Sequence, residues 1–171
     1  MAQKLEVWQR GPLPGISPLM QPVGHALLQA REELQVYMQD FPAELLWLRP
    51  LGMASVGFHL QHLSGVLDRV FTYARAEGLT PWQFEQLEEE GKDSAAGYSV
   101  DDLVERFNKQ VDLALQQLER TDDATLPDFR GIGRAGLPST VGGLLFHAAE
   151  HTMRHLGQLM VTVTVVRAKV L

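Results

Sequence analysis

Apolar residues recur at spacings of three and four along four long segments of the chain, which is the pattern of amphipathic helices. Hydroxyl side chains that can cap a helix precede these segments, at Ser17, Ser55, Ser99 and Ser139 or Thr140. The pattern predicts long helices at residues 18–39, 56–77, 100–120 and 140–166. Thr80 followed by Pro81 predicts the start of a short acidic helix that runs to about Glu90, between the second and third long helices.

The segments between the helices carry few periodic apolar positions. Residues 1–16 contain several Gly and Pro residues and predict an irregular lead-in, so we assign residues 17–171 to one helical domain. Residues 121–138 are rich in Asp, Pro and Gly and predict a long loop. Residues 161–166 are mostly β-branched, but their continuity with the amphipathic pattern predicts that the last helix runs through them. The acidic run at residues 88–90 is interpreted as a solvated helix face.

Four long amphipathic helices around one apolar core predict an all-α protein, a four-helix bundle with one short extra helix between the second and third long helices. The 171 residues suit a single domain. The chain has no cysteine, which excludes disulfides, thiolate nucleophiles and cysteine-ligated zinc. Acidic residues outnumber basic ones by 21 to 15, for a net charge of -6, which argues against nucleic-acid binding. Without a signal segment or a spanning segment of roughly 20 apolar residues, we expect a cytoplasmic protein with no membrane partner.

Histidines are concentrated in the second and last of the long helices. Residues four apart on a helix face the same way, so His151 and His155 can bind one ion. His155 lies within the apolar arc of its helix and His151 at the edge, whereas His147 faces solvent or the rim of a site. On the second helix the apolar arc includes His59 and has His62 at its margin. Either residue could complete the site, and periodicity slightly favours His59.

Two imidazoles from one helix and one from another supply three neutral nitrogens, which suit a divalent transition metal with open coordination positions. Zinc or nickel is the expected metal, with iron and manganese as alternatives. Glu150, Arg154 and Gln158 flank the pair on the last helix and are candidates for orienting the ligands or contacting a substrate. The alternative is that these histidines are core residues satisfied by hydrogen bonds.

Two segments carry a family resemblance. Ser55–Gly65 (SVGFHLQHLSG) resembles the second helix of the DinB-like (DinB/YfiT) superfamily, and Gly143–Gln158 (GLLFHAAEHTMRHLGQ) resembles its last helix. The similarity covers about residues 17–166. It implies a four-helix bundle in which three histidines hold a divalent metal, one from the second helix and two, four residues apart, from the last.

The resemblance also implies site residues and a function. It assigns the ligand roles to His62, His151 and His155, with His59 as the fallback for His62. Characterised members of the family are metal-dependent transferases and isomerases that use low-molecular-weight thiols, and others are described as metal-dependent hydrolases. We therefore expect a metal-dependent enzyme that transfers a low-molecular-weight thiol to a small-molecule substrate. The alternatives are a metal-dependent hydrolase and a non-catalytic bundle that binds a small ligand or a protein. Because members are often homodimers, we also expect a homodimer.

Overall fold

The computed structural model describes residues 5–93 and 97–168. Residues 1–4 of the predicted lead-in and residues 169–171 of the predicted domain lie outside the described residues. Within the described ranges the chain forms five α-helices, with bounds α1 Gln21–Met38, α2 Val56–Ala74, α3 Pro81–Glu89, α4 Val100–Arg120 and α5 Val141–Arg167. The four long helices form the predicted bundle, in which α1 and α2 each pack against both α4 and α5.

The bundle core is built from the apolar positions that the periodicity singles out. Its largest fully buried side chains come from all four long helices: Leu27, Leu34, Leu60, Leu63, Leu67, Phe71, Leu103, Phe107, Leu118, Leu144, Leu145 and Leu156. Burying one such side chain contributes about 1.5–3 kcal/mol to folding. This shared core fixes α2 and α5 side by side, and these are the two helices that carry the clustered histidines.

Side-chain caps start the later helices as predicted. The hydroxyl oxygens of Ser55 and Ser99 each accept a hydrogen bond at 3.1 Å from the backbone N–H three residues along, and Thr140 accepts one at 3.0 Å. The predicted start of the first helix at Ser17 is wrong. Pro22 has no N–H to donate to the carbonyl of Pro18, so residues 17–20 form a turn and α1 begins at Gln21.

The β-branched run near the end of the chain is helical, as the amphipathic pattern predicts. α5 continues to Arg167 without a break. Thr162 and Thr164 donate their hydroxyl groups to the carbonyls four residues earlier, at 3.0 and 2.9 Å, which satisfies both hydroxyls within the helix. Thr162, Val163 and Val166 are buried, so tertiary packing overrides the local preference of this segment for strand.

The segment predicted as one long loop, residues 121–138, contains regular structure. Strands β1 (Phe129–Ile132) and β2 (Leu137–Thr140) form an antiparallel hairpin in which Phe129 pairs with Thr140. Gly133 and Gly136 in the turn have φ of +62° and +60°, a conformation that glycine adopts without strain. Both strands are largely exposed, so they lack the apolar alternation that would have predicted them.

The lead-in predicted to be irregular includes a short 3-10 helix, Val7–Arg10. Val7 is buried, and its backbone N–H donates to the Gln29 side chain of α1 at 2.9 Å, so this segment packs on the bundle. Across the described ranges, none of the helices combines the length and the apolar character that crossing a bilayer requires.

Candidate metal centre

Three histidines from two helices meet on one side of the bundle. The Nε2 atoms of His62 on α2 and His151 on α5 lie 2.9 Å apart. The His155 ring, one turn further along α5, has its centroid 4.3 Å from that of His62 and 4.5 Å from that of His151. One ring nitrogen from each residue lies within 4.8 Å of the others, so the three form a cluster that could hold a metal ion.

His59, which periodicity slightly favoured, lies beside this cluster rather than in it. Its side chain is buried in the core, with 3% of the residue exposed. Its Nδ1 lies 3.3 Å from Nδ1 of His155. The geometry therefore groups His62, rather than His59, with the two histidines of α5. The periodicity prediction that His59 faces the core is confirmed, but core-facing and ligand-facing are different directions at this end of α2.

A carboxylate holds the side of His62 that faces away from His151. Glu90, the residue that follows α3, places Oε2 2.7 Å from Nδ1 of His62 and Oε1 2.8 Å from Nη1 of Arg69. Only 7% of the Glu90 side chain is exposed. The interpretation of residues 88–90 as a solvated face is thus wrong for Glu90, because α3 packs on α2 and the residue that follows α3 turns inward.

The surroundings of the cluster favour uncharged imidazoles. Burial, together with repulsion from the charged form of His62, lowers the pKa of His59 to about 4. Burial and the neighbouring imidazoles lower the pKa of His155 to about 4, and the pKa of His151 is lowered for the same reasons. These rings are therefore neutral at pH 7, which is the form that binds metals.

The carboxylate of Glu90 is ionised in the same surroundings. Burial alone would raise the pKa of its carboxyl group, but the hydrogen bond from His62 and the positive charge of Arg69 together place that pKa below its usual value. An ionised carboxylate accepts hydrogen bonds and cannot donate one, so Nδ1 of His62 is the donor in this contact. In the uncharged ring the lone pair is then on Nε2, the atom that faces His151.

The donor set fits a divalent transition metal. Two Nε2 atoms at 2.9 Å either share one proton between them or direct both lone pairs at a common ion. Nδ1 of His151 is buried and has no hydrogen-bond partner among the described residues, so hydrogen bonding does not account for the whole cluster. Neutral imidazoles suit zinc and nickel, and three protein ligands leave open coordination positions.

The flanking residues predicted on α5 lie on its outer side. Arg154 forms an ion pair with Glu150, and 55% of the Arg154 side chain is exposed. Glu150 also lies 3.4 Å from Nδ1 of the exposed His147, and with His151 these two residues form a second, more exposed group of possible ligands. Gln158 is exposed. Of the predicted flanking residues, Glu150 is thus grouped with His151. Arg154 contacts Glu150 and has no direct role in that group.

Three residues of the site were not singled out from the sequence. Phe58 stacks on the His62 ring with centroids 5.3 Å apart and planes 12° from parallel, and its spacing of four from His62 is a signal that could have found it. Arg69 lies seven residues beyond His62 and therefore on the same face of α2, which is a weaker signal. Glu90 approaches from another helix, and local periodicity carries no information about that contact.

Comparison with known proteins agrees with this architecture. The DinB superfamily model matches residues 26–159, so the chain belongs to the DinB superfamily. A solved DinB-family structure from Exiguobacterium sibiricum is 18% identical and has a TM-score of 0.68, covering 88% of this chain and 93% of its own. A conserved protein from Enterococcus faecalis is 17% identical with a TM-score of 0.67, covering 89% of this chain and 99% of its own. At these identities the two structures show a shared fold. No curated protein matches the chain.

Proposed function

We propose that this protein is a divalent-metal-dependent enzyme that transfers a low-molecular-weight thiol to an electrophilic small molecule. The observation that carries the proposal is the meeting of three ring nitrogens, from His62, His151 and His155, within 4.8 Å of one another. Membership of the DinB superfamily supports it, because the resemblance of these two helices implies a three-histidine metal site. Zinc or nickel is the proposed metal, with iron and manganese as the alternatives.

His62, His151 and His155 would hold the metal, which would supply the Lewis acidity that makes a thiolate available from a thiol co-substrate near neutral pH. The chain has no cysteine, so the reacting sulfur comes from the co-substrate. In the proposed reaction the S–H bond breaks and its proton passes to solvent, and the sulfur uses the electron pair of that bond to form a bond to the electrophilic carbon. The bond from that carbon to the leaving group, or to a ring atom, breaks at the same time. Its electron pair goes to the departing atom, which takes up a proton from solvent.

The protein groups around the cluster prepare this chemistry. The Nδ1–H of His62 is held by Glu90 at 2.7 Å, which leaves Nε2 as a ligand atom. Phe58 stacks on one face of the His62 ring and so helps to orient it. The three cluster histidines are only partly buried, so the cluster is not sealed from solvent.

The metal part of the proposal is tested by elemental analysis of protein purified without an affinity tag or a chelator. We expect about one equivalent of metal in the wild type or after reconstitution, and its loss in His62→Ala, His151→Ala and His155→Ala. His25→Ala, which removes a histidine of α1 that belongs to neither group of possible ligands, is the matched control and should retain the metal. A wild-type protein that neither carries nor takes up stoichiometric metal contradicts the proposal.

The catalytic part is tested with a panel of low-molecular-weight thiols and electrophiles, with esters and amides as competing substrates. We expect thiol consumption that disappears on chelation and returns with metal. Hydrolysis of the esters or amides without thiol would instead assign a metal-dependent hydrolase. Metal binding without turnover of any substrate would favour a non-catalytic ligand-binding bundle.

A further inference from the structure

Glu90 connects the third helix to the histidine cluster. Its carboxylate reaches two residues of α2, His62 and Arg69, which are seven positions apart and therefore on the same face two turns along the helix. One carboxylate oxygen is hydrogen-bonded to Nδ1 of His62 at 2.7 Å, and the other forms an ion pair with Nη1 of Arg69 at 2.8 Å without hydrogen-bond geometry. Arg69 is itself buried, with 8% of its surface exposed, so the three residues form a charged network inside the protein.

The surface of α2 is shaped to receive this carboxylate. Gly65 lies between His62 and Arg69, and a Cβ at this position would be 2.6 Å from Oε1 of Glu90 and 2.6 Å from Nη1 of Arg69. Any side chain at residue 65 would therefore displace one or both groups of the ion pair. Glycine weakens a helix interior by about 1 kcal/mol relative to alanine, so its presence in α2 requires a packing reason, which the Glu90 carboxylate supplies.

The backbone that follows Glu90 is also fixed to α2. Gln61 is buried, and its Oε1 accepts a hydrogen bond from the N–H of Gly91 at 2.7 Å while its Nε2 donates to the carbonyl of Lys92 at 3.4 Å. Gly91 has a φ of +83°, which turns the chain back over Phe58. The end of α3 therefore approaches His62 in one fixed orientation.

We propose that Glu90, held by Arg69, is a positioning residue that fixes the Nδ1–H tautomer and the ring orientation of His62 for metal binding. This inference rests on the proposed metal site and names a protein group that tunes it. A carboxylate that accepts the Nδ1–H of a ligand histidine makes the other nitrogen a stronger donor, and losing such a partner typically weakens metal affinity about 10–100-fold. Arg69 places a positive charge 2.8 Å from the buried carboxylate, which favours the ionised form of Glu90 at this position.

The first test is metal affinity, measured by competition with a chromophoric zinc chelator. We expect Glu90→Gln and Glu90→Ala to weaken zinc binding roughly 10–100-fold. Glu89→Gln removes the same charge from the preceding residue, whose side chain is 44% exposed and pairs with Lys92, so it is the matched control and should bind like the wild type. Cobalt-substituted protein provides a second readout, since a reoriented His62 should alter the visible absorption bands in Glu90→Gln and leave them unchanged in Glu89→Gln.

The second test reads the tautomer of His62 directly in metal-free protein, by nitrogen-15 NMR of the imidazole at alkaline pH. We expect the wild type and Glu89→Gln to hold the proton on Nδ1, and Glu90→Ala to show a mixture or the Nε2–H form. If the wild type binds metal but both Glu90 variants bind equally tightly and keep the Nδ1–H form, the role of Glu90 is wrong while the proposed function stands. If the wild type binds no metal, the proposed function fails, and a tautomer that still depends on Glu90 would show a purely structural contact.

Discussion

The indole ring of Trp47 occupies the space beside Gly57 in the first turn of α2. A Cβ built at residue 57 would lie 2.4 Å from Cζ3 of the indole and 2.5 Å from Cε3. The N–H of Gly57 donates to the carbonyl of Leu46 at 2.8 Å, so the α1–α2 connection is fixed to the helix at this point. This contact sets the start of the helix that carries His59 and His62.

Gly57→Ala should destabilise the protein, because the rigid indole must move to accept the methyl group. Overpacking of this kind costs about 1–3 kcal/mol in the free energy of unfolding, measurable by urea denaturation. Gly157→Ala is the matched control, because a Cβ at that exposed position on α5 would have no neighbouring side chain within 4 Å among the residues that the structure describes. It should stabilise the protein by roughly 0.5–1 kcal/mol through helix propensity. Equal effects of the two substitutions would contradict the contact with Trp47.

Gly65→Ala should weaken metal binding without touching any ligand. The added methyl would press on both Oε1 of Glu90 and Nη1 of Arg69, so the carboxylate should leave Nδ1 of His62. We expect a loss of zinc affinity comparable to that of Glu90→Gln, about 10-fold or more. Chelator competition measures it, and an unchanged affinity would show that the pair can shift without disturbing His62.

The metal-free protein should lose stability as the pH falls below neutrality. The pKa of His59 is about 4 in the folded protein, and that of an unfolded histidine is about 6.5. Between these values the unfolded chain binds more protons, so this contribution to stability is fully present above the unfolded pKa and is lost as the pH falls toward 4. His155 acts in the same direction.

Thermal unfolding measured at a series of pH values should therefore show a Tm that falls as the pH is lowered from about 7 to about 5. His59→Gln, which cannot titrate, should make the decrease shallower. His25→Gln, at a histidine of α1 that belongs to neither group of possible ligands, is the matched control. A Tm in His59→Gln that falls as steeply as in the wild type would show that His59 does not contribute.

Homodimer formation remains a prediction from the family resemblance. Along α5, Phe146 and Val161 are 66% and 61% exposed, so the helix presents apolar side chains to solvent. Light scattering coupled to size-exclusion chromatography should give twice the chain mass of 19.1 kDa. Phe146→Glu should shift the protein toward the monomer, and a wild-type mass equal to one chain would contradict the prediction.

The sequence predicted the helices because their signals are local. Apolar periodicity outlines each helix, and Ser55, Ser99 and Thr140 cap three of them. The capping hydroxyl and the first periodic apolar positions lie within a few residues of each other along the chain. The start of α1 was misplaced because Ser17 and Pro18 have the residue types of a helix cap and first helical position. Pro22 lacks the backbone N–H that a helix starting at residue 18 would need. The hairpin of residues 129–140 was missed because its exposed strands lack alternation.

In the candidate site, too, local signals were readable from the sequence and long-range contacts were not. The spacing of four between His151 and His155 is a local signal that identified one half of the cluster. Periodicity could not choose between His59 and His62, since both lie near the buried arc of α2, and family resemblance assigned His62. Glu90 was interpreted as solvated because its contact with α2 depends on how α3 folds back, which no pattern within α3 records.

The two Nε2 atoms that meet at 2.9 Å belong to residues 89 positions apart. An ion shared by His62 and His151 would therefore act as a cross-link that closes a loop of about half the chain. Because folding brings the three histidines together, such an ion would bind the folded chain in preference to the unfolded one and would stabilise the fold by that difference in affinity. The chain contains no cysteine and so has no disulfide to stabilise it. With an ion in the cluster, the Tm of the protein would thus depend on the concentration of available metal.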